Sequence, residues 1–392
     1  MRFLHTSDWH LGRQIRGQSR QAEFERVVME VVDIARRERV DAVLIAGDTF
    51  DTFAPPPDAE KLLYEALTGL VRDHIDVVMI AGNHDHAQRM DAMTGILRIA
   101  GVHCVGSVPP DEGYEPVTLT SADGSEATTI VALPWVPERV AVEYERLFGE
   151  LNEALQRYAG QMERAIAYFC KRFSPGTANV FLGHLFIGGS TVGEGSSERK
   201  LHIGQNFAVP ASCLPGDAQY IALGHLHRPQ EIAHASPAFY AGSLLQLDFG
   251  EEGQAKSVNI VEVHPRLPAT VERVSVSGGR QLRTVCTTLD ALPEHGGRYG
   301  DDFLRVVVEL ERPAIGLYER VRDVLPNALE VTASVAAQAA AAAEAAGDHT
   351  SVTPEVLLSR FYAQKPGGGA MPEGLLKLFS ELYQQEVERA TA

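Results

Sequence analysis

Asp41-Ala42-Val43-Leu44-Ile45-Ala46-Gly47-Asp48 is an apolar run of strand length that stops at a glycine and passes at once to a carboxylate. So short and apolar a run reads as a strand buried on both faces, and its neighbours decide what covers it. Upstream, Phe3-Leu4-His5 reads as a first strand, and Phe24, Val27, Val28, Val31 and Ala35 then recur at helical spacing. Downstream, Leu62, Leu63, Ala66, Leu67 and Leu70 mark a second amphipathic helix before the strand Val77-Val78-Met79-Ile80-Ala81-Gly82. Strand and helix alternate, which is the pattern of α/β layering. Two further buried-type strands follow at Asn179-Val180-Phe181-Leu182-Gly183 and Tyr220-Ile221-Ala222-Leu223-Gly224, with a mostly helical insertion expected between Val136 and Phe173.

The pattern resets near Ala269. Residues 269–335 read as a small α+β unit: strand Phe303 to Leu310, helix Gly316 to Val324, strand Leu329 to Thr332. An Ala-rich run, Ala336 to Ala346, has high helix propensity without a packing face and reads as a semi-rigid linker over 336–350. The tail, 351–392, opens on Thr353-Pro354 as N-cap and N1, and carries two short apolar faces: Leu357, Leu358, Phe361, Tyr362, then Leu375, Leu378, Phe379, Leu382.

With 392 residues, 45% hydrophobic and 22% charged, the chain can bury a large core plus one or two smaller units. No apolar run is long enough to span a bilayer and the N-terminus lacks a signal-peptide pattern, so a cytoplasmic protein with no membrane association is expected. Cys104, Cys170, Cys213 and Cys286 are scattered with no C-x-x-C pair to suggest a zinc site or redox motif, and read as reduced and structural. A net charge of -17 argues against capture of nucleic acid by the surface at large. The local basic cluster Arg13, Arg16 and Arg20 is the candidate DNA-contacting group.

Five segments put metal-competent side chains directly after an apolar strand: Asp8-Trp9-His10, Gly47-Asp48, Gly82-Asn83-His84-Asp85, Gly183-His184 and Gly224-His225-Leu226-His227. In open α/β sheets ligands gather at the carboxyl ends of strands, so residues far apart in sequence converge there. Singly, a D-x-H or a Gly-Asp after a strand is an ordinary turn; five together, each at a strand end, are not a coincidence of turns. Mixed Asp, His and Asn donors suit divalent manganese, with magnesium as the alternative, and two metals sharing a bridging carboxylate need about seven or eight donors. His5, His74, His103, His202, His234, His264, His295 and His349 lack this context and read as core or surface; His86 follows the motif and is expected just behind it.

The set D-x-H, G-D, G-N-H-D, G-H and G-H-x-H resembles the calcineurin-like metallophosphoesterase superfamily. Thr6-Ser7-Asp8-Trp9-His10-Leu11-Gly12, Gly47-Asp48-Thr49-Phe50-Asp51-Thr52, Ala222 to Gln230 and Tyr240-Ala241-Gly242-Ser243 narrow the resemblance to its SbcD branch of DNA nucleases, strongly over about Met1 to Glu262. The resemblance implies a β-sandwich flanked by helices over 1–268, a small α+β capping or DNA-recognition domain over 269–335, and a helical tail that docks on an SbcC-type, SMC-like ATPase. It implies one metal held by Asp8, His10, Asp48 and His227, and a second by Asp48, Asn83, His184 and His225. His84 becomes the acid for the leaving oxygen and Asp85 the residue that orients it. Asp51 stands where the archaeal branch carries histidine and receives no catalytic role.

The implied activity is manganese-dependent cleavage of DNA: 3′ to 5′ exonuclease action at double-stranded ends, and endonuclease action at hairpins and single strands, in a homodimer within a heterotetramer. Leu62, Leu63, Leu67, Met90, Met93 and Leu97 are candidates for the dimer contact and equally for ordinary core. Two other readings stand beside this one. A phosphatase or small-molecule phosphodiesterase would use the same metal core, but Asp48 is not followed by the Asp-Arg-Gly of protein phosphatases and Asp85 replaces the Glu of secreted nucleotidases. A non-catalytic scaffold would require a lost ligand, and none is missing.

Overall fold

Phe3 and Leu4 point to opposite sides of one strand, and both are fully buried. A strand with two dry faces needs a layer on each, and the computed structural model supplies them. It describes residues 1–108, 114–121, 124–137, 151–191, 208–310 and 314–335, together with Leu358, Tyr362, Pro372, Leu375, Leu376 and Phe379. The Ala-rich linker and nearly all of the expected tail helices lie outside the described residues.

In chain order, β1 (Arg2–Thr6) is followed by a tight hairpin, β2 (Gln14–Ile15) and β3 (Gln18–Ser19), and by α1 (Gln21–Arg37). Next come β4 (Ala42–Ile45), α2 (Pro57–Arg72), β5 (Asp76–Ile80), α3 (Ala87–Ile99) and β6 (Val102–Val105). The second half runs β7 (Val117–Thr120), β8 (Ala127–Leu133), α4 (Leu151–Cys170), β9 (Ala178–His184), β10 (Tyr220–Gly224), β11 (Gln230–Ile232) and β12 (Ala238–Tyr240). β13 (Ser257–His264) and β14 (Leu267–Ser275) precede β15 (Leu282–Thr288), β16 (Phe303–Leu310), α5 (Leu317–Val324) and β17 (Ala328–Val335).

Two six-stranded sheets form, ordered β14-β13-β1-β4-β5-β6 and β11-β12-β10-β9-β8-β7. Within the first, β1, β4, β5 and β6 are parallel; within the second, β8, β9, β10 and β12 are. The period-two alternation of the strands then builds the layers. Phe3, Leu44, Val78 and Ile80 meet Ile130, Val180, Leu182 and Ala222 in the core between the sheets. Leu4, Val43, Ile45 and Met79 pack outward against Phe24, Val28 and Val31 of α1 and Leu62 and Leu67 of α2. Val131, Phe181, Ile221 and Leu223 pack against Tyr158, Met162 and Ile166 of α4. Strands buried on both faces need no polar alternation, hence the continuous apolar runs in the sequence.

By its own contacts the chain divides into Met1–Val307 with Gly316–Thr332, and Val308–Ile315 with Ala333–Ala392. The boundary expected at 268–269 falls inside β14, which pairs with β13 from Ser257↔Ser275 to His264↔Leu267. β14 therefore continues the first sheet, and the small β15-β16-β17 sheet begins after it. Of the dimer candidates, Leu62, Leu63, Leu67 and Met90 sit in the helix–sheet core, so for these four the core reading holds.

Candidate metal centre

Parallel strands end on one side, and the loops that follow β1, β4, β5, β9 and β10 carry the chemistry. Asp8 and Asp48 lie in paired loops: Asp8 N–H donates to Gly47 O and His10 N–H to Asp48 O, both at 3.0 Å. Asp8, His10 and Asp48 adopt left-handed φ values of 51°, 48° and 48°, and His225 reaches 106°. Such conformations cost a non-glycine residue on the order of 1 kcal/mol or more and persist where the surroundings over-determine them. Glycine is required at two points of closest approach. A Cβ on Gly82 would strike the Asp48 carboxylate and amide, and one on Gly224 would strike the Ala46 carbonyl.

The side chains gather into three groups whose donor atoms lie within 4.8 Å of one another: Asp8, His10 and His227; His10, Asp48 and His84; Asp48, His184 and His225. His10 Nε2 and His184 Nε2 stand 3.6 and 3.5 Å from the same Asp48 Oδ2. Asn83 Oδ1 lies 3.1 Å from His184 Nε2 and 2.9 Å from His225 Nδ1. Asp8, Asp48, His10 and His184 are all essentially without solvent exposure.

These donors fit a divalent cation better than they fit each other. His184 Nδ1 faces the Ala46 carbonyl at 2.8 Å, so its proton sits there and Nε2 presents a lone pair. His227 Nδ1 likewise faces the Glu251 carboxylate at 2.8 Å, leaving Nε2 as a lone pair 3.1 Å from His10 Nε2. A proton between those two rings would have to come from His10, whose buried Nδ1 lacks a hydrogen-bond partner even though Asp51 Oδ1 is 3.3 Å away. A cation held by His10 and His227 would leave the His10 proton to the Asp51 side.

Electrostatics agree. Burial pushes the Asp8 carboxyl up to about 6, against the pull of His184 and His227. At Asp48 burial is outweighed by His184, His84 and His10, which hold the carboxyl well below its usual range. Burial takes His10 down to about 4, whereas at His184 the Asp48 and Asp8 charges outweigh burial and carry the ring to about 9.

His84 N–H donates to Asp48 Oδ1 at 2.8 Å, its Nδ1 faces the Asp51 carbonyl at 2.8 Å, and its ring meets that of His10 edge to face with centroids 4.8 Å apart. Asp85 requires a correction. Its carboxylate accepts the backbone N–H groups of Gly82, Phe50 and Thr49 at 2.9, 2.9 and 3.1 Å, so it fastens two site loops together and does not orient the His84 ring. Asp51, given no role from sequence, is the residue whose carbonyl holds His84. His86 caps α3, accepting from Arg89 N–H.

Residues 1–229 match the calcineurin-like phosphoesterase family, and residues 274–365 match a family described as the Type 5 capsule protein repressor C-terminal domain. Among curated relatives, the SbcD component of the SbcCD nuclease of Bacillus subtilis is 34% identical, over 97% of this chain and 97% of its own. Its namesake in Rhodobacter capsulatus is 32% identical over 92% and 94%, and that of Escherichia coli K12 is 32% identical over 70% and 68%. The chain belongs to the SbcD family.

As an SbcD-family member it is a metal-dependent phosphoesterase, and the gathered Asp, His and Asn side chains are the place for a divalent centre. The basic cluster needs a second correction. Arg20 is 1% exposed, bonded to Glu23 at 2.7 and 3.1 Å and to the Gln246 carbonyl, so it holds the fold and cannot reach DNA. Arg13 is bound to Asp51 at 3.0 Å, and Arg16 is solvent-exposed with Glu330 as its partner. Sequence reasoning also missed Trp135, whose ring stacks on His225 with centroids 5.1 Å apart, and Glu251 behind His227. Trp135 does follow a strand, β8, but an indole offers a metal no donor. Glu251 closes a single turn of helix, Phe249–Glu251, with no strand leading into it.

Proposed function

We propose that the chain is a metal-dependent DNA nuclease, the SbcD component of an SbcCD-type complex, using manganese in preference to magnesium. One metal is held by Asp8, His10, Asp48 and His227, and the other by Asp48, Asn83, His184 and His225. The observation that carries this is the position of Asp48, common to two of the three donor groups and within 3.6 Å of histidines on both sides. When bound, such a pair of cations supplies Lewis acidity and an activated water for in-line attack on a phosphodiester.

The protein's own share is positioning and proton transfer. His84 is held through Nδ1 by the Asp51 carbonyl, so its imidazolium form would carry a second proton on Nε2 and give it to the departing 3′ oxygen. The products are a 5′-nucleotide and a new 3′-hydroxyl. The names of the relatives support a nuclease role in an SbcCD-type complex; the motif resemblance alone supports 3′ to 5′ action at duplex ends, cleavage of hairpins, an ATPase partner that supplies DNA-binding surface, and a homodimer within a heterotetramer. An acidic chain of net charge -17 is consistent with a borrowed DNA surface. Deleting residues after Gly347 should leave the basal nuclease intact and abolish co-purification with the ATPase.

The decisive assay is the purified chain on end-labelled duplex and hairpin DNA, with manganese or magnesium, beside p-nitrophenyl phosphate esters. Metal-dependent DNA cleavage is expected. Turnover of the small esters with intact DNA would overturn the nuclease reading while leaving the phosphoesterase standing.

A further inference from the structure

A buried ion pair outside the donor set lies directly behind His227. Glu251 is fully buried; one oxygen faces His227 Nδ1 at 2.8 Å and the other accepts Lys256 Nζ at 2.6 Å and Leu247 N–H at 3.2 Å. Lys256, itself 7% exposed, also donates to Ser243 Oγ and the His227 carbonyl at 2.9 Å, with Gln254 Oε1 at 3.1 Å. A buried ion pair is costly to assemble, and replacing it by apolar residues is often neutral or stabilising, so fold stability alone is a weak reason for this one. Its geometry offers a better reason. A carboxylate can only accept, so Glu251 keeps the His227 proton on Nδ1 and turns the Nε2 lone pair toward His10 and Asp8. The lysine keeps the carboxylate ionised and grips the His227 main chain as well.

We propose that Glu251, held by Lys256, is a positioning residue that fixes the tautomer and aim of His227 for divalent metal, an assignment that rests on the metal centre proposed above. The segment that carries it is anchored from the other side. Phe249 packs with Ile15, Leu282 and Phe303, and Glu252 accepts Thr284 N–H at 2.9 Å. The aim of His227 is thus tied to the β15–β16 region.

The test is manganese titration by calorimetry on the full chain, with nitrogen-15 spectra of the imidazoles in the metal-free protein, His227 being assigned by its absence in His227→Asn. Wild type should bind two metals and show His227 protonated at Nδ1. The double variant Glu251→Leu, Lys256→Met leaves no unpaired charge; it should fold and lose affinity for one metal by about 10- to 100-fold. Glu251→Gln with Lys256→Met keeps an acceptor for Nδ1 and should recover most of that loss. Wild-type affinity for both metals in the folded Leu/Met variant, or an Nε2-protonated His227 in wild type, overturns the proposal. A wild-type chain that binds no divalent metal overturns the centre itself, and this assignment with it.

Discussion

The Asp8 carboxylate accepts the backbone N–H of His225 with both oxygens, at 3.0 and 3.1 Å, across 217 residues of sequence. Asp8 follows a strand of the first sheet and His225 a strand of the second, so this bond ties the two halves of the sandwich at the donor cluster. It also fixes Asp8 before any cation arrives, leaving its oxygens oriented by a main-chain donor.

Asp48→Asn should remove metal-dependent cleavage and lower metal stoichiometry together, because the residue stands between His10 and His184. Calorimetry beside a nuclease assay checks this. Two metals bound at unchanged affinity in an inactive variant would refute the bridging assignment.

His84→Gln should keep both metals and lose turnover by roughly 10²–10⁴, the range for removing a general acid. Loss of metal in that variant would make His84 a ligand, which its proximity to His10 and Asp48 permits sterically.

Arg20→Ala should destabilise the fold by roughly 3–5 kcal/mol, since Glu23 would be left buried without its cation. Arg16→Ala should leave stability within about 0.5 kcal/mol and lower the salt slope of DNA binding by roughly one. Denaturant melts and salt-dependent binding curves separate the two; a thermally unaffected Arg20→Ala would contradict its burial.

The contribution of His5 to stability should fall as pH drops from about 6.5 toward 3. Burial holds His5 at about 3, so it stays neutral in the fold while the unfolded chain takes up a proton near 6.5. Its contribution is complete above that value and is lost at about 1.4 kcal/mol per pH unit below it. His5→Asn should flatten this slope in denaturant melts, and an unchanged slope would refute the assignment.

The gathering of side chains was legible in the sequence wherever a metal-competent residue followed an apolar strand, since a strand's end fixes where the next side chain goes. Asp8, Asp48, Asn83, His184 and His225 were legible for that reason. Glu251 and Lys256 come from a stretch without periodicity, and only the fold brings them behind His227. Arg20 was misread because an arginine three residues before Glu23 looks the same in sequence whether the pair faces water or the core. The cut at 268 failed because β14 alternates weakly, with an exposed face like that of a strand outside the sheet.

A centre divided between two sheets has a consequence for the nascent chain. Asp8, His10, Asp48 and Asn83 emerge from the ribosome long before His184, His225 and His227, and domains form as their segments become available. A chain interrupted midway carries four of the seven proposed donors, and because β13 and β14 return to the first sheet only after the second is made, neither the sheet nor the donor set is complete until late in synthesis.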